Sequence, residues 1–386
     1  MKKEALKEFR KPEVAAVAKE VLKRGPVCDN CLGRQAAQVS TGMTNRDRGK
    51  ALRQMLGAGR EPAKCGVCMG IFKRIDGYAD AAAKRLAKLE YETFLVGTKM
   101  SCDFIRSEES LWEDVGIDYC ESIRSELNRE LGKLIWKKVK HEVDEKSPDV
   151  LVILNLEKDR IDLQVKSLFI SGGYKKLVRG IPQTKWDKYR ETVEDIIAAP
   201  LLKATGGEGH SMHAAGREDI DARCLDWRPF VFEIKNPVRR KIDLRLMRAK
   251  IKKSGKVEVS GLSFSDKKQV PIVKSMRHDK TYSVLVEFER PVKSIEAVEG
   301  VKGYVSQRTP TRVMHRRADL TRKRRVIDIS WKRINNKNFE LQIKGEAGLY
   351  VKELVTGDSG RTKPSIAGLL GNPAAVKALD VIKIWD

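Results

Sequence analysis

The chain has 386 residues, too many for one typical hydrophobic core, and its length predicts two or three domains. Lysine and arginine number 77 against 53 for aspartate and glutamate, a formal net charge of +24 that is spread over most of the length. Polyanions are the expected partners, and nucleic acid leads because no basic amphipathic helix or lipidation motif points to a membrane. The sequence has no apolar transmembrane run and no signal peptide, which predicts a soluble, cytoplasmic protein.

Four of the seven cysteines form two pairs with the same spacing, Cys28 with Cys31 and Cys65 with Cys68. Two thiolates separated by two residues can face one ion across a tight turn, and two such pairs complete a tetrahedral zinc shell. In a large intracellular chain this spacing favours metal over disulfides. The intervening residues 32–64 form a long loop, but the entropy of loop closure grows only slowly with length. We therefore predict a closed, structural zinc site, with four buried metal-free cysteines as the minor alternative.

An α/β pattern begins at about residue 77, where apolar residues first recur at helical spacing and are then followed by short apolar runs. The predicted elements are helices near 79–89 and 123–135 and strands at Phe94 to Met100, Val150 to Leu156 and Ile161 to Val165. We interpret residues 77–186 as a small α/β RNA-binding unit, which the stretch SGGYKKLVRGIPQTKW closes.

That closing stretch combines two glycines with an aromatic ring at Tyr174 and cations at Lys175 and Arg179. Backbone amides and cations can bind phosphates, and an exposed aromatic ring can stack on a base. An ordinary solvated basic loop has the same composition. The residues alone therefore leave RNA binding and simple solvation equally open.

The remaining chain, residues 187–386, consists mostly of short strand signals interrupted by a few helices, which predicts an α+β domain and not a parallel βαβ series. Between two of these strands runs the basic segment QRTPTRVMHRRADLTRKRR, which includes Arg312, Arg316 and Arg317. Its expected role is to bind a phosphate backbone, and the alternative is a disordered charged loop.

The stretch HAAGREDIDARCLDWRPF holds three carboxylates between two arginines, namely Glu218, Asp219 and Asp221 between Arg217 and Arg223. Opposite charges close to an ionised carboxylate keep it reactive, so the stretch suits a catalytic group in a cleft. A polar loop with solvated charges fits the spacing equally well. Local composition gives no reason to choose among the three carboxylates.

Three separated stretches, in the right order, resemble the catalytic motifs of pseudouridine synthases, and they are GREDIDARCLDWRPF, KTY and LYVKEL. The resemblance is closest to the archaeal and eukaryotic branch that modifies uridines 54 and 55 in the T arm of tRNA. It implies that Asp219 is the nucleophile, with Glu218 and Asp221 as supporting polar residues. It also implies the substrate-binding roles of three further residues: Tyr282 packs on the target base, Lys352 is the basic partner of the aspartate, and Leu354 lines the pocket. Because the target base must leave its stack, Arg217, two residues before the aspartate, is a candidate to fill the gap or to hold the backbone.

The resemblance covers nearly the whole chain and implies three domains. CDNCLGRQ with CGVC resembles the family's zinc module, over residues 1–76, and residues 77–186 look like a THUMP-type RNA-binding domain. Residues 187–386 would form the catalytic domain, a mixed and mainly antiparallel sheet with flanking helices. One departure is Gly173 in SGGYKK, where the family is expected to carry a basic residue.

The implied activity is that of a monomeric tRNA pseudouridine synthase acting at position 55, and at 54, of the T arm. Isomerising uridine involves no net redox change or group transfer, so the expected cofactor set is structural zinc with no organic cofactor. A non-catalytic THUMP and zinc RNA-binding protein, or a tRNA chaperone, is the alternative, against which Asp219, Tyr282 and Lys352 argue. A THUMP-bearing methyltransferase would need a glycine-rich cofactor loop after a strand, and the sequence offers none.

Overall fold

The computed structural model describes residues 7–385, apart from the side chain of Arg316. The described chain divides after Lys166 into two compact units. Within the described residues no helix has the length and apolar character needed to cross a bilayer. Both units combine helices with a β-sheet, so the predicted α+β class is confirmed.

Six helices of the first unit lie wholly within its described residues. They are α1 (Pro12–Lys23), α2 (Asp29–Arg34), α3 (Asn45–Met55), α4 (Ile71–Leu86), α5 (Cys102–Val115) and α6 (Ile123–Val139). Proline stands at the first position of α1, where its fixed φ suits a helix start and its missing N–H costs nothing. Helices α2 and α3 approach closely, because a Cβ at Gly33 would lie 1.8 Å from the carbonyl oxygen of Asn45.

The sheet of the first unit has four strands in the order β2-β1-β3-β4. Their bounds are β1 (Thr93–Lys99), β2 (Glu142–Val143), β3 (Val150–Asn155) and β4 (Arg160–Val165). Strand β1 runs parallel to β2 and β3, whereas β3 and β4 form an antiparallel hairpin. Apolar positions of α4 and α6 pack with this sheet in one core, where Ala82, Leu131 and Val152 are fully buried.

The second unit is built on one ten-stranded mixed sheet in the order β13-β10-β11-β12-β9-β14-β7-β5-β8, with β6 also paired to β7. The strands are β5 (Leu168–Lys176), β6 (Gly209–Ala214), β7 (Ala222–Lys235), β8 (Val257–Ser265), β9 (Lys280–Phe288), β10 (Gly303–Arg308), β11 (Thr321–Arg333), β12 (Asn338–Gly345), β13 (Thr362–Lys363) and β14 (Ala374–Ile384). The helices are α7 (Val193–Thr205), α8 (Leu244–Lys252), α9 (Gln269–Ser275), α10 (Val351–Thr356) and α11 (Ile366–Leu369).

Strand β5 differs from the prediction in both conformation and domain. The stretch SGGYKK was expected to be a loop that closes the first unit, but it forms antiparallel ladders with β7 and β8 in the sheet of the second unit. Its alternating side chains point to opposite faces, and Tyr174 and Lys176 lie fully buried on one of them. The second unit therefore begins at Ser167, before the predicted boundary between residues 186 and 187.

The central strands of this sheet bring distant segments of the chain together. Strand β14 pairs in parallel with β7 and antiparallel with β9, so Val381 lies opposite both Cys224 and Tyr282. The turn that precedes β7 and the first residues of β9 consequently lie at the same end of the sheet. Helix α10, which follows β12 after a short turn, contributes its first residues to the cavity at this end.

Candidate active site and metal centre

A cavity of about 570 Å³ opens at this end of the second unit. Asp219, Tyr282 and Lys352 all line it, so the structure brings together three residues that lie far apart in sequence. Its other charged lining residues are mostly cations, and they are Arg217, Glu218, Arg228, Arg277, Lys280, Arg312, Arg317, Arg322 and Arg324. A cavity with so many cations suits an anionic ligand.

Asp219 lies in the turn between β6 and β7, with 30% of its side chain exposed. Two cations contact its carboxylate: Arg312 Nη1 donates a hydrogen bond of 3.2 Å to Oδ1, and Lys352 Nζ lies 3.4 Å from Oδ2. The expected pairing of Lys352 with Asp219 is present at this longer distance. Together the two cations stabilise the negative charge of Asp219.

Lys352 lies closer to a second carboxylate, that of Asp221. Its Nζ donates hydrogen bonds of 2.9 and 2.7 Å to the two oxygens of that side chain. Burial alone would raise the pKa of Asp221, but the hydrogen bonds from Lys352 hold that pKa below its ordinary value. Lys352 therefore bridges the two aspartates, and its ammonium is fixed between them.

Arg312 was predicted to bind RNA phosphates, but in the structure it lies inside the cavity wall. Its Nε donates a hydrogen bond of 2.7 Å to Glu353 Oε1, which holds the guanidinium beside Asp219. Arg317, from the same segment, donates to the hydroxyl of Tyr350 at 2.8 Å. The side chain of Arg316, a third predicted RNA contact, lies outside the described part of the structure.

Two predicted pocket residues have aromatic or apolar side chains, and the structure places only one of them, Tyr282, in the cavity wall. Tyr282 stands on β9 with 9% of its surface exposed, and burial raises its pKa to about 12, so the phenol stays neutral. Leu354 was expected to line the pocket, but its position on α10 turns it into the core, where it is fully buried. Leu349 and Val351 form this wall instead.

A buried polar network lies directly behind Asp219. The side chain of Glu218 is fully buried, and it accepts a hydrogen bond of 3.0 Å from the Tyr174 hydroxyl and lies 3.1 Å from Arg228 Nε. Lys176 Nζ donates to the carbonyl oxygens of Ile181, Asp219 and Ile220, at 3.0, 3.0 and 3.2 Å. The backbone of the turn that carries Asp219 is thus held by a buried lysine.

This network corrects the prediction for Tyr174, which was expected to stack on an RNA base. Its ring is fully buried, and burial raises the pKa of its hydroxyl well above the ordinary value. A ring in that position cannot contact RNA. Its neighbours in the predicted RNA-binding stretch are more accessible: Lys175 Nζ lies 4.4 Å from the centre of the Trp227 ring, and Arg179 forms an ion pair of 2.6 Å with Asp380.

Sequence reasoning gave no role at the cavity to Arg228, to Lys176 of the predicted RNA-binding stretch, or to Lys280 of the KTY motif. A signal for Lys280 existed, because it stands two residues before Tyr282 on a predicted strand and so shares its face. The other two gave no local signal. Lys176 and Arg228 are charged residues with at most 1% exposure, and composition predicts that such residues lie on the surface.

In the first unit the four paired cysteines converge as the sequence predicted. Cys28, Cys31, Cys65 and Cys68 are buried, and their sulfur atoms all lie within 4.8 Å of one another. None of them forms a disulfide. Four thiolates at this spacing fit a tetrahedral metal ion with metal–sulfur bonds of about 2.3 Å. This buried group could hold a metal ion.

A buried arginine lies beside the cysteine cluster. Arg34 is fully buried, and its Nη1 lies 3.5 Å from Cys31 Sγ and 3.3 Å from Glu126 Oε2. Burial raises the pKa of the Cys31 thiol, and the Arg34 charge opposes this effect. A positive charge next to the cluster suits a four-thiolate metal site, whose net charge is negative.

The cavity of the second unit is lined by Asp219, Tyr282 and Lys352, which come from the three stretches GREDIDARCLDWRPF, KTY and LYVKEL. Two family models match the chain: "Pus10, C-terminal" over residues 169–385 and "Pus10 THUMP domain, archaeal" over residues 78–155. The chain therefore belongs to the Pus10 family of tRNA pseudouridine synthases, which are isomerases.

Similar proteins span almost the whole chain. The tRNA pseudouridine synthase Pus10 of Methanothrix thermoacetophila is 39% identical, over 96% of this chain and 94% of the relative. The protein of the same name from Pyrococcus furiosus is 38% identical, over 96% of this chain and 97% of the relative. A solved Cbf5-Nop10-Gar1 complex is similar at 17% identity and a TM-score of 0.34, over 55% of this chain and 48% of that one.

Proposed function

We propose that this protein isomerises uridine to pseudouridine in the T arm of tRNA, at position 55 and at 54, with Asp219 as the nucleophile. The observation that carries the proposal is the position of Asp219 between Arg312 and Lys352, on a cavity that Tyr282 also lines. The names of the curated relatives support the same activity. The enzyme would act as a monomer in the cytoplasm.

The reaction breaks the bond between the uracil nitrogen and the ribose, rotates the base and rejoins it through carbon. It needs a carboxylate at the reacting atoms, and Asp219 offers one that contacts two cations. A buried neutral tyrosine in the wall can pack on the detached base and keep it from leaving. No redox group or group carrier is needed, so we propose that the reaction uses no organic cofactor.

Binding of tRNA would draw on the positive charge of the chain, a formal net charge of +24. Arg217 lines the cavity two residues before Asp219, and we propose that it occupies the space left when the target base flips out. Lys175, Arg179 and Arg317 are the remaining candidates for phosphate contacts. Arg312 would instead act mainly on Asp219, because it is already bound to that carboxylate and to Glu353.

The proposal is tested by incubating the protein with an unmodified tRNA transcript and mapping pseudouridine chemically. We expect pseudouridine at position 55, and at 54, without any added organic cofactor. Matched transcripts in which one or both uridines are replaced by cytidine locate the modified positions independently. If the transcript is bound tightly but no pseudouridine forms, the protein is an RNA-binding protein or chaperone and the proposed activity is wrong.

We further propose that the metal held by the four cysteines is zinc and that its role is structural. The freshly purified protein should then contain about one zinc ion per chain, because four thiolates form one closed site. Elemental analysis checks this stoichiometry. Cys65→Ser should lower the zinc content, whereas Cys102→Ser, at an exposed cysteine outside the cluster, should not. Wild-type protein without zinc would contradict the assignment.

A further inference from the structure

Lys280 is a charged residue of the cavity to which the proposed reaction assigns no task. It stands two residues before Tyr282 on β9, so the two side chains share one face of the sheet about 6.6 Å apart. Both line the cavity that holds Asp219. Within the described residues, Lys280 Nζ makes one hydrogen bond, of 2.7 Å to the carbonyl oxygen of His278, and no ion pair. An ammonium has three donors, so two remain for a ligand.

The cavity beside Lys280 contains a second cation with spare donors. Arg228 is 1% exposed and lines the same cavity, and its Nη1 donates to the Ala215 carbonyl at 2.9 Å. Its Nη2 makes no hydrogen bond within the described part of the chain. A buried donor without a partner is costly, so a ligand that accepts a hydrogen bond here would be favoured.

The chemistry of the cavity indicates which species these cations would bind. When the glycosidic bond breaks, its electron pair stays with the uracil nitrogen, and the Asp219 carboxylate, as the proposed nucleophile, forms a bond to the sugar carbon. The negative charge of the base spreads over its two carbonyl oxygens. When the base rejoins through carbon 5, its electron pair forms the new carbon–carbon bond, and the bond between Asp219 and the sugar carbon breaks with its pair returning to the carboxylate. Carbon 5 then loses a proton and the nitrogen gains one. An anionic base therefore exists only between the two bonds.

We propose that Lys280, supported by Arg228, holds the carbonyl oxygens of the detached uracil and stabilises its negative charge while the base rotates. The inference rests on the proposed function, because it concerns the same site and substrate. Tyr282 would contact the face of the base, and Lys280 would contact its edge. Cations placed where charge develops during a reaction stabilise the transition state more than the ground state.

The charge of Lys280 is sensitive to pH near neutrality. Burial, with Arg228 as the next cause, lowers its pKa to about 8. The charged and titratable groups that face it are Arg228 and Cys224 on β7 and Arg277 and Asp279 beside it in the chain. Opposite Lys280 on the neighbouring strands stand Gly345 and Ile384, which carry no charge. Lys280 is therefore charged below about pH 8 and becomes neutral above it.

The test measures pseudouridine formation in single turnovers, with enzyme in excess over tRNA transcript, from neutral to alkaline pH. Lys280→Met should slow the reaction about 100-fold or more at neutral pH, the loss typical of one removed charge-stabilising donor. Its affinity for tRNA should stay unchanged. The wild-type rate should fall about tenfold per pH unit above about pH 8, because the ammonium is lost.

The variant Lys280→Arg distinguishes a role of the charge on Lys280 from a purely structural role. Its guanidinium stays charged at every pH used, so this variant should keep activity at neutral pH and lose the alkaline fall in rate. The control is Lys344→Met. Lys344 lies beside Thr281 on β12, over the Trp385 ring and outside the cavity, and its removal should leave both the rate and the pH profile unchanged.

The outcomes separate this inference from the proposed function. Wild-type protein that forms no pseudouridine would overturn the function itself. Wild-type activity with an unchanged rate in Lys280→Met would overturn the role of Lys280 alone, and so would an alkaline fall in Lys280→Arg equal to that of wild type. If the melting curve of Lys280→Met shows that this variant is unfolded, the pH profile of Lys280→Arg tests the role of Lys280 instead. Loss of the alkaline fall in rate would support that role, and a fall equal to that of wild type would overturn it.

Discussion

Asp219→Asn should abolish pseudouridine formation and leave tRNA binding intact. Asparagine has the shape of aspartate, so the turn before β7 and the cations around it should keep their positions. It has no negative charge and cannot act as a nucleophile, and loss of such a group typically costs at least about 10,000-fold in rate. The measurement is single-turnover pseudouridine formation, together with a binding assay on the same transcript.

Asp221→Asn is the matched control, because Asp221 stands two residues away and accepts hydrogen bonds from Lys352. It loses one charged partner of Lys352, but the ammonium keeps its contact with Asp219. We expect its rate to fall by less than about tenfold, the effect of one weakened, partly exposed ion pair. If Asp221→Asn were inactive and Asp219→Asn active, the two assignments would have to be exchanged.

The parts of the molecule that the sequence predicts are those specified by short, local patterns. The two cysteine pairs predict a single four-sulfur cluster because the spacing of each pair limits where its thiols can point. The alternation in KTYSVLVEF likewise predicts a strand, and β9 spans those nine residues. In both cases the signal lies within a few residues, so long-range packing is not needed to recognise it.

Strand β5 shows why other parts could not be predicted. Its two adjacent glycines were interpreted as part of a loop, but they allow close packing between strands, because a Cβ at Gly172 would lie 2.9 Å from the Ser260 carbonyl oxygen. Its lysine at 176 is buried because three carbonyl oxygens from two other segments surround the ammonium. The residues of β5 alone give no indication of those partners.

The same limit applies to Arg312. Its basic surroundings in sequence predict an RNA contact, which is the ordinary role of arginine in such a segment. In the structure it contacts Asp219 and Glu353, which lie 93 and 41 positions away along the chain. The partners of a charged side chain depend on the tertiary fold, so the contacts of Arg312 could not be predicted from its neighbours in sequence.

Lys176→Met should reduce both the stability of the protein and the rate of the reaction. Methionine fills nearly the same space but leaves three carbonyl oxygens without this donor and removes a positive charge 3.8 Å from the buried Glu218. Breaking a buried charge pair from one side typically costs about 3–5 kcal/mol of unfolding free energy. Because Lys176 holds the Asp219 carbonyl, a shift of the turn by about 1 Å should slow the reaction about 100-fold.

Two further variants separate these effects, with denaturant unfolding and single-turnover rates as the measurements. Leu201→Ala, in the core cluster that also contains Tyr174, should lose about 2–5 kcal/mol and keep its rate, because its side chain is 1% exposed and does not line the cavity that holds Asp219. Lys176→Met combined with Glu218→Gln should regain part of the stability, since the buried carboxylate is no longer charged, but none of the rate. A double variant with restored activity would show that Lys176 serves only to neutralise Glu218 and does not position Asp219.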